Sequence, residues 1–280
     1  MLKTRILTAA VLIPAVLAAL FLLSPRGWGV VTLFVIAFAA NEWSRLVDLA
    51  VPLRVAFVVI TLFVGLALLF MPASAFARGW PAPTVIAACG IATVFWIAVA
   101  PPWVVSRWPT RSALPMAVVG FVVLMGAWMA LVELQARSPW LVLAAMAIVW
   151  IADTAAYFAG RAFGRHKLAP QVSPGKTWEG VYGAWFAAAL YAAALVPLAA
   201  RAGFREPVTD VAIAIWIVFV VVIVAISVVG DLFESLLKRH AGVKDSGALL
   251  PGHGGVLDRT DALLAAMPVV ALAAQWFLVK

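Results

Sequence analysis

Nine stretches of almost uninterrupted apolar residues follow one another along this 280-residue chain, at roughly 6–23, 28–40, 55–71, 83–100, 114–132, 139–158, 177–200, 211–229 and 262–279. A helix crossing a bilayer needs about 20 mostly apolar residues, so the pattern predicts a polytopic bundle of about nine transmembrane helices, an all-α integral membrane protein. Only 11% of residues are charged and mean hydropathy is +1.09. A soluble domain carries about 25% charged residues, and disorder needs low hydrophobicity, so both are excluded. A transmembrane barrel would show alternating segments, whereas these runs are continuous. The second run is the shortest. It ends at Asn41-Glu42 and reaches full length only if Glu42 and Trp43 lie inside the helix or at its interface.

The net charge of +8 would suggest nucleic acid in a soluble protein. In a membrane protein it is first a matter of topology, because cytoplasmic loops collect Lys and Arg. With the N-terminus inside, six basic residues (Arg26, Arg78, Arg137, Arg201, Arg205 and Lys280) fall outside and the other 14 of 20 fall inside. The N-terminal run lacks a convincing small-residue cleavage site and is expected to be a first span rather than a removed leader. Cys89 stands alone and can form neither an internal disulfide nor a thiolate metal site. The 13 Trp residues mostly suit interfacial belts.

The acidic residues point to where function lies. Seven of 12 (Asp153, Glu179, Asp231, Glu234, Asp245, Asp258 and Asp261) fall in or beside the two segments that join spans six to seven and eight to nine. The expected organisation is therefore an N-terminal transmembrane scaffold, 1–135, and a C-terminal catalytic region, 136–280, with cytoplasmic loops 159–177 and 230–261.

Two clusters carry chemistry. Asp153 lies in an apolar stretch, where a carboxylate costs about 2.5–3.5 kcal/mol on insertion scales, so it should face a polar cavity or a partner. Gly160 and Gly164 permit close backbone approach beside Arg161, Arg165, His166 and Lys167, and Ser173-Pro174-Gly175-Lys176-Thr177 then opens the seventh span. Exposed N–H groups and a lysine at a helix start favour an anion; the Walker A spacing is absent. In the second cluster Asp231, Glu234, Ser235 and Lys238 share one helix face by their spacing. Four Asp, five Gly, two His and four basic residues are compressed between Asp231 and Asp261. Asp231, Asp258 and Asp261, at two helix ends, would make an oxygen-rich site suited to Mg²⁺, which takes a few carboxylates and fills its shell with water and substrate phosphates.

The run Ser235-Leu-Leu-Lys238-Arg239, four residues, then Lys244-Asp245-Ser-Gly247-Ala-Leu-Leu-Pro251-Gly-His253-Gly254-Gly255-Val-Leu-Asp258-Arg259-Thr-Asp261 resembles the signature of the phosphatidate cytidylyltransferase (CDP-diacylglycerol synthase) family over 27 positions. Asp153, Tyr157, Gly160-Arg161 and the Ser173–Thr177 motif look like that family too. The resemblance implies transfer of the cytidylyl group of CTP to phosphatidate, giving CDP-diacylglycerol and pyrophosphate. It also implies an integral, Mg²⁺-dependent, homodimeric enzyme of the cytoplasmic (inner) membrane, with room for a second, monovalent cation. Carried over residue by residue, Asp231, Ser235, Asp258 and Asp261 would hold metal, and Asp231, Asp258, Asp261 and Lys238 would form the catalytic set. Ser173, Lys176, Thr177, Arg239, Lys244, His253, Arg259 and Asp153 would bind substrate. An ion-coupled transporter using Asp153, Asp231 and Asp261 is the alternative, though the absence of repeated halves speaks against it.

Overall fold

The computed structural model describes residues 2–71, 79–110, 112–201, 210–249, 251–252 and 254–277, the side chains of 2–6, 198–201, 210 and 276–277 excepted. Among the described residues nine long helices make the fold: α1 (Leu2–Leu22), α2 (Pro25–Leu46), α3 (Val51–Leu69), α4 (Ala82–Ser106), α5 (Ala113–Arg137), α6 (Pro139–Phe163), α7 (Trp178–Arg201), α8 (Asp210–Ala241) and α9 (Leu257–Phe277). Between α6 and α7 lies an antiparallel hairpin, β1 (Lys167–Ala169) and β2 (Ser173–Thr177). Helices α3 to α8 are each long and apolar enough to cross a membrane, while α1, α2 and α9 carry charged residues toward an end. The nine rods match the nine apolar runs.

Local chemistry sets the helix ends. Ser24 and Ser138 precede Pro25 and Pro139, and each serine Oγ accepts a backbone N–H of the first turn, from Gly27 at 3.2 Å and from Trp140 at 3.3 Å. Proline at the first helical position loses no helical hydrogen bond, so the pairing of cap and proline starts a helix cleanly. Helix α8 ends at Gly242, whose φ of +73° is open to glycine at little cost. There Gly242 N–H bonds to Arg239 O and Val243 N–H to Lys238 O, a Schellman closure.

The core forms around α5: 61% of its most apolar window is buried, against 17% for α3, which therefore lies at the rim of the bundle. Five tryptophans stand apart from the expected interfacial belts. Trp28, Trp43, Trp80, Trp96 and Trp128 are buried rather than interfacial. Four of these five donate indole N–H to backbone carbonyls: Trp28 to Leu131, Trp43 to Met116, Trp80 to Leu68 and Trp128 to Gly29. An indole inside a bundle can satisfy its single donor on a helix carbonyl, so burial costs it little.

The two expected loops are partly regular. Residues 159–163 continue α6, 167–177 form the hairpin, and 230–241 extend α8 so that it is 32 residues long. At about 1.5 Å per residue that helix is near 48 Å, well beyond a hydrocarbon core of about 30 Å. Likewise α2 runs on through Glu42 and Trp43 to Leu46. One end of the bundle gathers these extensions. There Thr110 Oγ1 bonds His240 Nδ1 (2.9 Å), Arg239 Nε donates to Val172 O (3.2 Å) and Thr8 Oγ1 donates to Pro251 O (3.1 Å). Near the opposite end, buried Glu133 accepts from Trp80 N–H, Gln275 Nε2 and Arg137 Nε.

Candidate active site

The expected clusters meet at the hairpin end of the bundle. Strand β2 passes straight into α7, where Thr177 Oγ1 accepts the Gly180 N–H at 3.2 Å. Thr177 is buried against Gly160, so adjacent Lys176 falls on the other face of the strand. Its ammonium lies 2.6 Å from Asp231 Oδ2. One turn later on α8, Ser235 Oγ donates to Asp231 Oδ1 at 3.4 Å.

Helix α9 brings Asp261 to the same place because α8 offers no side chain at Gly230. A methyl group there would sit 2.7 Å from Asp261 O and from Ala265 Cβ. Asp153 of α6, Asp231, Asp261 and Lys176 are close enough to interact electrostatically. Three carboxylates from three helices thus share one neighbourhood with one ammonium.

Asp258, one turn before Asp261 on α9, has partners of its own. Its Oδ1 accepts Lys238 Nζ at 2.6 Å, and its Oδ2 accepts Ser246 N–H (2.9 Å), Ser246 Oγ (3.0 Å) and Gly255 N–H (2.8 Å). Lys238 also pairs with Glu234 one turn before it on α8. The Lys238, Glu234 and Asp258 side chains are 13%, 5% and 7% exposed, so this is an internal ion triad rather than a surface one.

The other expected residues that are described lie on the hairpin, near the end of α8 and at the start of α9. Ser173 is paired with Ala169 across the hairpin, and the Arg239 guanidinium is directed to the hairpin turn. Lys244 is exposed, as is Arg259 in the first turn of α9. His253 lies outside the described residues. Three further basic residues, Arg165, His166 and Lys167, line a cavity of about 590 Å³ with Trp178 and Tyr182, and His166 Nδ1 lies 2.7 Å from Glu179 Oε1.

Sequence reasoning left three residues out of the site. Glu234 shares the helix face of Asp231 and Lys238, and its signal is the four-residue spacing to Lys238. Ser246 stands inside the glycine-rich run with no local signal, although it binds Asp258. Glu42, which the sequence leaves either inside the second helix or at its interface, is the third. It is 5% exposed and bonded to Ser246, Val256 and Leu257.

Hard oxygen donors are offered by Asp231, Ser235 and Asp261 on two neighbouring helices. Among the described residues no set of three or more His, Cys, Asp or Glu side chains is closed into a metal cage. Mg²⁺ is commonly held by one or two carboxylates, with waters and substrate phosphates filling its shell, and this donor set fits that habit. Fold and site together describe a helical membrane protein with carboxylates, lysines and a hydroxyl gathered at one end of its bundle.

Its relatives make the class specific. The profile of the cytidylyltransferase family matches residues 3–277, and the chain belongs to that family. It is 39% identical over 288 residues to the phosphatidate cytidylyltransferase of Pseudomonas aeruginosa, covering 99% of each chain. The phosphatidate cytidylyltransferase of Haemophilus influenzae is 39% identical over 284 residues, 96% of each chain. That of Staphylococcus epidermidis is 44% identical over 131 residues, 46% of each chain.

Proposed function

We propose that this protein transfers the cytidylyl group of CTP to phosphatidate, giving CDP-diacylglycerol and pyrophosphate in phospholipid biosynthesis. The observation that carries the reading is family membership across 3–277, joined to 39% identity over 99% of the chain with a relative of that name. The relatives lend nothing to a transporter.

The chemistry suits the geometry. A phosphatidate phosphate oxygen is already anionic, so it can attack the α-phosphorus of CTP without a strong base. A bond forms between that oxygen and the α-phosphorus, and the bond to the β-phosphate bridging oxygen breaks as pyrophosphate leaves. The protein's task is to align two anions and to offset charge, by positioning and electrostatics. Lys176, at 2.6 Å from Asp231 with its side chain 25% exposed, is placed to exchange its carboxylate partner for a substrate phosphate. Arg239, Lys244 and Arg259, with His253, are assigned to the phosphates around it. Ser173 and Thr177 shape the hairpin that presents Lys176. The cavity lined by Arg165, His166 and Lys167 offers a basic surface to a lipid headgroup.

Asp231, Ser235 and Asp261 are assigned to Mg²⁺, with Asp153 beside them. That ion, when bound, neutralises phosphate charge and the departing pyrophosphate. The ion triad of Asp258 and Lys238 is assigned to holding the segment before α9, since both side chains are already committed to each other. Residues 136–280 supply most of these groups and 1–135 the frame. The 14-to-6 division of basic residues supports a cytoplasmic placement of the hairpin end, where CTP is found, in a cytoplasmic membrane. A homodimer is part of the same reading, to be checked by light scattering in detergent.

The test is incubation of purified protein with radiolabelled CTP, phosphatidate and Mg²⁺, followed by chromatography of the lipid fraction. Label in a liponucleotide is expected. Solute uptake into liposomes with no nucleotide turnover would overturn the reading.

A further inference from the structure

Glu42 is a carboxylate in the middle of an apolar packing surface, contributed by the half of the chain that otherwise reads as scaffold. Its Oε2 accepts the Leu257 N–H at 2.8 Å and the Ser246 hydroxyl at 2.9 Å, and its Oε1 accepts the Val256 N–H at 3.0 Å. Val256 and Leu257 stand at the start of α9, where backbone N–H groups lack helical partners. A glutamate 215 positions away thus acts as the cap of that helix. Gly255 and Gly247 close around it: a methyl on Gly255 would lie 2.5 Å from Glu42 Oε2, and one on Gly247 would also meet the carboxylate.

The contact continues into the site. Ser246 Oγ lies 2.9 Å from Glu42 and 3.0 Å from Asp258 Oδ2. A hydroxyl has one proton, so Ser246 can serve one carboxylate at a time while touching both. From Asp258 the chain of contacts runs through Lys238 to Glu234. Glu42 therefore grips both the segment before α9 and the first turn of the helix that carries Asp258 and Asp261.

From this geometry we infer that Glu42 is a positioning residue for the active site: it sets the start of α9 so that Asp258 holds Lys238 and Asp261 meets Asp231. The inference rests on the proposed site. It assigns to α2 a part in the chemistry that the division into scaffold and catalytic halves leaves out.

Glu42→Gln keeps the shape and replaces one acceptor with an amide NH₂ facing donors. Loss of an outer-shell partner typically costs about 10–100-fold, and a fall of that size in kcat is expected, with KM for CTP within about twofold. Hydrogen exchange at Val256 and Leu257 should quicken, while exchange along α5 and the melting temperature stay near wild type. Wild-type kcat with faster exchange overturns the inference, as does unchanged exchange. A general rise in exchange with a large fall in melting temperature also overturns it, since Glu42 would then be only structural. Ser246→Ala, which keeps the Val256 and Leu257 bonds to Glu42 and the Ser246 N–H bond to Asp258 but removes the hydroxyl between Glu42 and Asp258, is the second probe. A smaller fall in kcat supports the inference, and wild-type kcat defeats it even if Glu42→Gln does not fold. Full activity in Asp261→Asn would instead defeat the proposed site itself, whatever the Glu42 variants do.

Discussion

Lys176 Nζ lies 2.6 Å from Asp231 Oδ2, joining the hairpin to α8 at the polar end of the bundle. The two side chains are 25% and 33% exposed. A pair so open contributes about 0–1 kcal/mol to stability. An incoming phosphate can therefore compete for the lysine, which a deeply buried pair would not permit.

Lys176→Met should leave the melting temperature nearly unchanged and lower kcat/KM for CTP about 100-fold, the scale of losing one charge-stabilising donor. Steady-state kinetics and a thermal melt on the same preparation check this. A large loss of stability with KM and kcat intact would contradict it.

The carboxylates of α9 should separate by their response to metal. Asp261→Asn is expected to raise the Mg²⁺ concentration for half-maximal activity by about 10-fold or more. Asp258→Asn should lower kcat and the melting temperature without moving that concentration, because its oxygens are occupied by Lys238, Ser246 and Gly255. EDTA should abolish the activity of the wild-type protein, and added Mg²⁺ should restore it. Equal Mg²⁺ shifts in both variants would return Asp258 to the metal.

Removing the ammonium from the internal triad leaves Glu234 and Asp258 facing each other with no counter-charge. Breaking such a buried pair costs about 3–5 kcal/mol. Lys238→Met should therefore be the least stable of the site variants, with a melting temperature in detergent below that of Lys176→Met. The reverse order would show that Lys238 is not held as described.

Gly230→Ala places a methyl 2.7 Å from Asp261 O and should force α8 from α9, at about 1–3 kcal/mol for an overpacked contact, with loss of activity. Gly90→Ala is the control, since nothing lies within 4 Å of the added methyl. Equal activity and melting temperature in the two variants would mean that the crossing tolerates separation.

Much of the fold is legible because membrane insertion is a demand on composition and length. A run such as 211–229 has to be a helix: in hydrocarbon every backbone N–H needs a partner within its own segment. The face shared by Asp231, Glu234, Ser235 and Lys238 was readable for a similar reason, since helical periodicity is local. The caps at Ser24 and Ser138 are local too. Tryptophan placement was not readable from composition, because whether an indole lies in a belt or a core depends on which carbonyl a neighbouring helix presents. The hairpin at 167–177 carries no alternating pattern to announce it, and its turn is contacted from α8 by Arg239 at Val172.

What the amino-acid order determined alone was the number of helical rods, the end at which polar groups collect and the family signature from Ser235 to Asp261. Each depends on spacing along the chain or on the cost of charge in hydrocarbon. Only the tertiary structure decided that Lys176 meets Asp231, that Lys238 is claimed by Glu234 and Asp258, and that Glu42 caps α9 from 215 positions away. Those pairings follow from how close two helices can approach, as at Gly230. Such closeness is a property of packed surfaces in three dimensions, which no periodicity along one segment encodes.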